Sequence, residues 1–251
     1  MLELYRQAIG TYTLHVVATE RVDGDQRPDR DSSRSDRLAR AGRQRSLTGF
    51  EWAMAAEEHG IVVIDAGMTV NGASTVDGVV TTDVEPGAST PPPGDVLVTE
   101  LANRALAIWA GDCAPLILSG RNGTLVAAHA GWRGLAAGVI DVAVAELTAR
   151  GDQAAAAVLG PCIHAECYEF GSDELRAVAS GVGATTDEIA GSTRGGRQAL
   201  DVPGAVAAAL GRHGITLDVI GPCTACDERW FSHRARNEDG RHAVVAWTTA
   251  S

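Results

Sequence analysis

The chain has 251 residues, 45% of them hydrophobic and 21% charged, which suffices to bury a core in one large domain or two small ones. The formal net charge of -11 argues against nucleic acid as a partner, and no apolar run approaches the roughly 20 residues that cross a bilayer, so no membrane association is expected. All 21 basic residues are arginines, which excludes lysine Schiff-base chemistry and leaves anion recognition to arginine.

The amino-terminal part predicts one strand, a polar segment and a helix. Residues 11–19 are rich in β-branched side chains, which is typical of a strand. Residues 20–45 mix arginine with acidic residues and are interpreted as a solvated, mobile segment rather than a binding arm. Thr48 and Glu51 are spaced as a capping box, which predicts a helix over residues 48–58 that ends before Gly60.

The remainder alternates strands and helices. Strands are predicted over residues 61–64, 105–110, 116–118, 124–128, 154–159, 217–220 and 242–247. Helices are predicted over residues 134–150, 172–180 and 203–212, the last begun by Asp201. This order predicts an α/β fold, a single-domain layered sandwich over residues 1–251 with mixed β-sheets flanked by helices. Five cysteines and no apolar leader predict reduced thiols and a cytoplasmic location.

Residues 127–135 contain several side chains that are typical of binding or catalytic sites. They lie where a predicted strand leads into a predicted helix. His129, Trp132 and Arg133 lie here between small residues. Arg133, at the start of the helix, is a candidate phosphate or carboxylate ligand with the free amides beside it. Trp132 is expected to pack rather than to stack on a substrate.

Cys113 and His129 flank a predicted hairpin with its turn at residues 120–123. This geometry sets Cys113 opposite a residue between 129 and 132, and a three-residue loop would set it directly across from His129. Either residue alone is more often part of a core, but together they can ligate zinc. Asp112 and Glu169 are candidate general acids or bases, with orientation of His129 as an equal alternative.

The carboxyl-terminal region adds thiols and arginines. Cys223 and Cys226 have metal-knuckle spacing, and Cys162 with Cys167 would complete a four-cysteine zinc site, although free thiols are favoured. Arg234 and Arg241 are candidate partners of Arg133 at an anion site, or simply solvated side chains.

Several motifs together resemble one family. They are Gly-Asp-Cys-Ala-Pro at 111–115, Ala-Ala-His-Ala-Gly-Trp-Arg-Gly-Leu at 127–135, Leu-Gly-Pro-Cys-Ile at 159–163, Cys-Tyr-Glu-Phe-Gly at 167–171, Cys-Thr at 223–224, Phe-Ser-His-Arg at 231–234 and Gly-Arg at 240–241. The chain is identified as similar to the YfiH-like family, also called the multicopper polyphenol oxidase or laccase-domain family, which includes purine nucleoside phosphorylases. The resemblance implies an α/β/β/α sandwich and a metal, usually zinc, held by Cys113, His129 and a further histidine.

The resemblance also exposes a departure. The family's first histidine stands in a Gln-Val-His-Gly element, and the matching stretch at 69–72 reads Thr-Val-Asn-Gly, which puts Asn71 in its place as a substrate-site residue. His59 is disfavoured because it ends a helical pattern and lies 54 residues before Cys113, whereas Asn71 lies 42 before it. We therefore expect His164, with Cys162 or Cys167, to supply the substitute metal ligand.

The resemblance implies a zinc-dependent purine nucleoside phosphorylase or adenosine deaminase. Its substrates would be a purine nucleoside and phosphate, or another small metabolite, bound through Arg133 and Arg234. Copper-dependent oxidation of phenols and hydrolytic editing of cell-wall precursors are alternatives. A divergent biosynthetic enzyme or binding protein without the metal is another, and Asn71 is its main support.

Overall fold

A computed structural model describes residues 1–27, 33–67, 74–76, 79–81 and 91–251. The strands are β1 (Leu2–Ile9), β2 (Tyr12–Ala18), β3 (Trp52–Ala53), β4 (Val63–Asp65), β5 (Ser74–Val76), β6 (Val79–Thr81), β7 (Val96–Thr99), β8 (Ala105–Ala110), β9 (Ala114–Gly120), β10 (Leu125–Ala130), β11 (Ala154–Leu159), β12 (Ala190–Ser192), β13 (Gln198–Leu200), β14 (Asp218–Val219) and β15 (His242–Ala250). The α-helices are α1 (Arg34–Thr48), α2 (Trp132–Ala136), α3 (Val139–Ala149), α4 (Ser172–Val182), α5 (Thr186–Ile189), α6 (Val202–Gly211) and α7 (His233–Arg236). Two 3-10 turns lie at Arg21–Asp23 and Ala165–Cys167.

Two mixed sheets form the centre of the molecule. One has the order β1-β2-β15-β8-β3 and the other the order β14-β11-β9-β10-β7-β4-β6-β5. Alternate residues of the central strands enter different cores: Leu97 and Ile117 face the other sheet, whereas Val96 and Leu118 face the helices. Because both faces are covered, these strands are apolar throughout rather than alternating with polar residues.

Helices cover the two outer faces. Side chains of α3, α4 and α6 pack on the eight-stranded sheet. On the opposite side, Leu47 at the end of α1 and Phe50 pack against Trp52 and Trp247 over the five-stranded sheet. The layered sandwich with mixed sheets flanked by helices is therefore confirmed. Among the described residues, no helix has the length and apolar character that a membrane span requires.

Two predictions for the amino-terminal part are wrong. The polar segment predicted as a loop contains most of α1. The N-cap residue Ser33 precedes this helix, and its side chain accepts a hydrogen bond from the Asp36 amide. Thr48 ends this helix instead of beginning one, and its hydroxyl accepts a hydrogen bond from Trp52 at 2.8 Å. The side chains of residues 52–55 point alternately into two different cores. This two-residue repeat is typical of an extended chain and not of a helix.

The hairpin between β9 and β10 confirms that Cys113 lies opposite a residue between 129 and 132, but its register is not the one that sets Cys113 across from His129. His129 pairs with Pro115, and Ala130 pairs with Ala114. Continuing this register by one residue places Gly131 opposite Cys113. The helix predicted over 134–150 is in fact two helices, α2 and α3. They are separated at Gly138, whose φ of 85° is left-handed and breaks the helical run.

Candidate functional site

The carboxyl end of β10 brings three potential metal ligands together. Side-chain donor atoms of His59, Cys113 and His129 all lie within 4.8 Å of one another. Cys113 Sγ is 3.9 Å from His59 Nε2, and the two imidazole rings meet edge to face with centroids 4.9 Å apart. Thiolate and imidazole are zinc's preferred ligands, and three of them leave the open position of a catalytic site.

A buried carboxylate, Asp95, orients both histidines. Its oxygens accept hydrogen bonds from the amides of Glu58 at 3.2 Å, His59 at 2.9 Å and Gly60 at 2.8 Å. The same carboxylate lies 2.9 Å from Nδ1 of His129. His59 has a positive φ of 60°, and these amide contacts hold its backbone in that uncommon conformation. With Nδ1 engaged by Asp95, the Nε2 of His129 is left to face the site.

A second buried carboxyl group, Glu57, lies on the other side of His129. Its Oε2 is 3.4 Å from His129 Nε2, and both side chains are only 2% exposed. Burial raises the pKa of Glu57 to about 8, although the nearby His129 acts in the opposite direction. Burial therefore makes this carboxyl group a weaker acid than an exposed glutamate.

The electrostatics favour a thiolate at Cys113. Burial opposes ionisation, but the neighbouring His129 and His59 outweigh it and lower the pKa of Cys113 to about 6. Burial also disfavours a charged His129, yet the negative charges of Glu57 and Cys113 raise the pKa of His129 well above its ordinary value. The group formed by Glu57, Cys113 and His129 thus favours positive charge, which a proton or a metal ion can supply.

Gly131 provides the space that these three potential ligands occupy. A Cβ at this position would lie 2.7 Å from His59 Cδ2 and 3.2 Å from Cys113 Sγ. The residues present therefore fit a small cation bound by soft ligands. Zinc and copper both meet that description.

The three ligands line a cavity of about 370 Å³. Its wall includes aromatic and cationic side chains, namely Trp109, Trp132, Tyr168, Arg27, Arg234 and Arg241. Burial raises the pKa of Tyr168 to about 12, so its hydroxyl stays protonated. A ligand with a flat ring and an anionic group matches this wall.

Arg234 and Asp112 are tied together at the cavity. The carboxylate of Asp112 accepts hydrogen bonds from the Arg234 amide at 2.6 Å and the Thr224 hydroxyl at 2.7 Å. The Arg234 guanidinium lies 4.4 Å from the Tyr168 ring centroid and donates to the carbonyl of Glu169 at 2.9 Å. Asp112 thus holds the first turn of α7, and the carboxylates that contact His129 are instead Asp95 and Glu57.

Other predicted site residues lie elsewhere. The guanidinium of Arg133 stacks on Trp132 at 4.4 Å, and this exposed side chain does not line the cavity. His164 donates its amide to Cys223 Sγ at 3.4 Å and is not in the group formed by Cys113 and His129. Asn71 lies outside the described residues. The structure therefore sets His59, and not His164, beside the two ligands.

Sequence reasoning missed Glu57 and Asp95 and set His59 aside. The helix predicted over residues 48–58 concealed His59 by assigning it to a helix end. The sequence did contain a usable signal. Residues 57–59 read Glu-Glu-His directly before Gly60, and this polar run does not fit the spacing of apolar residues that a helix requires. Asp95 follows a Pro-Gly turn and gave no comparable signal.

Comparison with known proteins identifies the family. The family model described as multi-copper polyphenol oxidoreductase laccase matches residues 24–249. The chain belongs to this family. It is 36% identical over 146 residues to a purine nucleoside phosphorylase of Pseudomonas aeruginosa, covering 57% of this chain and 60% of that protein. A purine nucleoside phosphorylase of Streptomyces griseus is 38% identical over 161 residues, covering 62% and 63%. The chain spans about three fifths of the length of these curated relatives.

Solved structures of the family share the fold. The crystal structure of YlmD from Geobacillus stearothermophilus superposes with a TM-score of 0.77 at 22% identity, over 98% of each chain. YfiH of Bacillus licheniformis has a TM-score of 0.73 at 18% identity, over 96% of this chain and 97% of its own. The resemblance noted in the sequence is confirmed, and so is the fold that it implied.

Proposed function

We propose that this protein is a metal-dependent enzyme that cleaves purine nucleosides with phosphate. One observation carries the proposal: His59, Cys113 and His129 converge at a cavity whose wall combines aromatic rings with arginines. The names of the relatives in Pseudomonas aeruginosa and Streptomyces griseus support the same substrate class.

In this reaction the bond between the sugar C1′ and the purine nitrogen breaks, and a phosphate oxygen bonds to C1′. The products are a free purine and a sugar 1-phosphate, and the leaving purine nitrogen takes up a proton. A bound zinc ion would supply a Lewis acid that polarises an oxygen of the substrate or lowers the pKa of water. His59, Cys113 and His129 would hold it.

The phosphate is assigned to the arginines that line the cavity. Arg234 is held by the Glu169 carbonyl and by Tyr168. Arg241 donates through Nη1 to the carbonyls of residues 238, 239 and 240 at 2.9–3.0 Å. Guanidinium groups held in place lose little freedom when they bind an oxyanion, which favours binding. Because the whole chain carries a charge of -11, this local positive charge is needed to attract phosphate.

The base is assigned to the aromatic side chains that line the cavity, and the proton to Glu57. Trp132 and Tyr168 line the cavity, where aromatic side chains can contact a purine ring. Glu57 reaches the cavity, is a weaker acid than an exposed glutamate because burial raises its pKa, and keeps its place by accepting a hydrogen bond from the Trp109 amide at 3.1 Å. It is the group best placed to deliver a proton within the site.

Deamination of adenosine is the second candidate, because the same three ligands leave room for an activated water. Copper-dependent oxidation of phenols fits the softness of the ligands but calls for several copper ions, whereas among the described residues the cavity group offers three ligands. The alternative of a protein without a metal, which Asn71 suggested, has less support. His59 lies beside Cys113 and His129 and would serve as the third ligand.

The test combines metal analysis with a phosphorolysis assay on the purified full chain. We expect about one equivalent of metal at this site and phosphate-dependent release of hypoxanthine from inosine. His59→Ala should abolish metal binding there and lower kcat/KM by more than about 100-fold. His213→Ala is the matched control, because this histidine pairs with Asp141 at 2.6 Å, away from the cavity.

Two results would contradict the proposal. One is turnover that does not depend on phosphate, in which case release of inosine from adenosine would identify the deaminase instead. The other is unchanged turnover in His59→Ala with a normal His213→Ala, which would remove the metal group from the chemistry.

A further inference from the structure

We propose a second metal site, built from Glu166, Cys167, Cys223 and Cys226, that takes a thiophilic divalent ion such as zinc. One donor atom from each residue lies within 4.8 Å of all the others. Cys167 Sγ is 3.4 Å from Cys226 Sγ, and Cys226 Sγ is 3.5 Å from a Glu166 oxygen. Sulfur ligands at about 2.3 Å from a tetrahedral zinc stand less than 4 Å apart, which these spacings approach.

The backbone arranges these donors before any ion binds. Cys223 and Cys226 sit on a turn in which the Cys226 amide donates to the Cys223 carbonyl at 3.1 Å. Glu166 and Cys167 lie in the 3-10 turn after β11, where the Cys167 amide donates to the His164 carbonyl at 3.0 Å. Two loops far apart in the sequence thus offer two donors each, as in zinc sites made from two knuckles.

The surroundings offset the charge of such a centre. Three thiolates, one carboxylate and a divalent cation sum to about -2. The Arg194 guanidinium lies 2.9 Å from Cys226 Sγ, and the His164 amide donates to Cys223 Sγ at 3.4 Å. A nearby cation and amide donors to sulfur are the outer contacts that stabilise metal thiolates.

This site differs from the cavity and from the four-cysteine site considered in the sequence. None of its four donors lines the cavity that holds Cys113 and His129. Cys162 is completely buried in the apolar core and is not in the group, so Glu166 takes the fourth position. With four protein donors and no open position, the ion would be structural.

The ion would connect the loops that shape the cavity. Cys167 precedes Tyr168, which lines the cavity, and Cys223 precedes Thr224, which holds Asp112 at 2.7 Å. Tying the two loops together would restrict the motion of this wall. The inference concerns a site separate from the proposed catalytic metal, and its test reads metal content and thiols rather than turnover.

The experiment measures metal equivalents in purified full-length protein and its variants, prepared under reducing conditions with added zinc. We expect two equivalents in the wild type and one in Cys113→Ser, which lacks a cavity ligand. Cys226→Ser should also hold one, because it removes an exposed thiol of the second site with little risk to folding. Cys162→Ala, which lies in neither group, should keep both.

Cobalt substitution shows which thiols carry the ion. The near-ultraviolet thiolate-to-cobalt band of Cys113→Ser should remain strong, whereas Cys167→Ser combined with Cys226→Ser should lose most of it. A wild type with one equivalent that Cys113→Ser abolishes would overturn the proposal. So would recovery of Cys167 and Cys226 as a disulfide from zinc-loaded protein.

Discussion

Gly131 shows how the lack of a side chain leaves space for the proposed metal site. Its φ of -70° suits any residue, so the need for glycine is steric and not conformational. We expect Gly131→Ala to weaken metal binding at least about 10-fold and to destabilise the fold by about 1–3 kcal/mol, because the new methyl group collides with His59.

Metal competition titration and urea unfolding measure these two effects. Gly211→Ala is the matched control, since a Cβ there has no neighbour within 4 Å. It should change stability by no more than about 1 kcal/mol. Equal metal affinity in Gly131→Ala and the wild type would contradict the prediction.

Substitution of Glu57 tests whether this buried carboxyl group donates the proton in the proposed reaction. Glu57→Gln preserves size and the acceptor for the Trp109 amide but cannot exchange a proton. We expect normal metal content and folding with turnover reduced by about 100-fold or more. The exposed Glu174→Gln on α4 should be indistinguishable from the wild type, and full activity in Glu57→Gln would rule out this role.

At the scale of elements, the β9–β10 hairpin presents Cys113 and His129 from its open end. The turn at its other end is held by Asp152, which is 3% exposed and accepts hydrogen bonds from the amides of Asn122 at 3.0 Å and Thr124 at 3.1 Å. These two amides would lose their partner if the carboxylate were removed. The turn therefore contributes to the register that places Gly131 opposite Cys113.

We expect Asp152→Ala to lower the free energy of unfolding by about 2 kcal/mol or more. Asp173→Ala removes an exposed carboxylate paired with Arg176 and should cost less than about 1 kcal/mol. Chemical denaturation of both variants makes the comparison. Equal stabilities would show that water replaces Asp152 at the turn.

At the scale of the whole molecule, folding buries His242 at the start of β15. We therefore expect the free energy of unfolding to fall in acid. Burial lowers the pKa of His242 to about 4, whereas an unfolded histidine titrates near 6.5. Between these values the unfolded chain binds the extra proton. The stability due to neutral His242 is therefore complete above pH 6.5 and is lost as pH falls toward 4.

We expect this group to account for up to about 3 kcal/mol of acid destabilisation. His242→Phe, which keeps a ring beside Trp230, should show a weaker pH dependence over this interval. Unfolding curves at several pH values provide the measurement. Parallel pH dependence in the variant and the wild type would contradict the assignment.

Local pattern determined much of this protein from the sequence alone. Strands such as β8 and β11 were predicted with the bounds that the structure has, because their apolar runs between turn residues depend only on near neighbours. The family motifs indicated Cys113, His129 and Arg234 as site residues in the same way. The α/β/β/α sandwich followed from the order of elements and the resemblance.

Tertiary packing alone decided the rest of the site. His59 meets Cys113 across 54 residues of sequence, and Asp95 meets His129 across 34. Neither contact is visible as a periodic pattern in the sequence, because each forms where an irregular segment crosses the end of a sheet. The extended course of residues 52–55 was equally hidden, because it depends on two cores that form only when the sheets pack together.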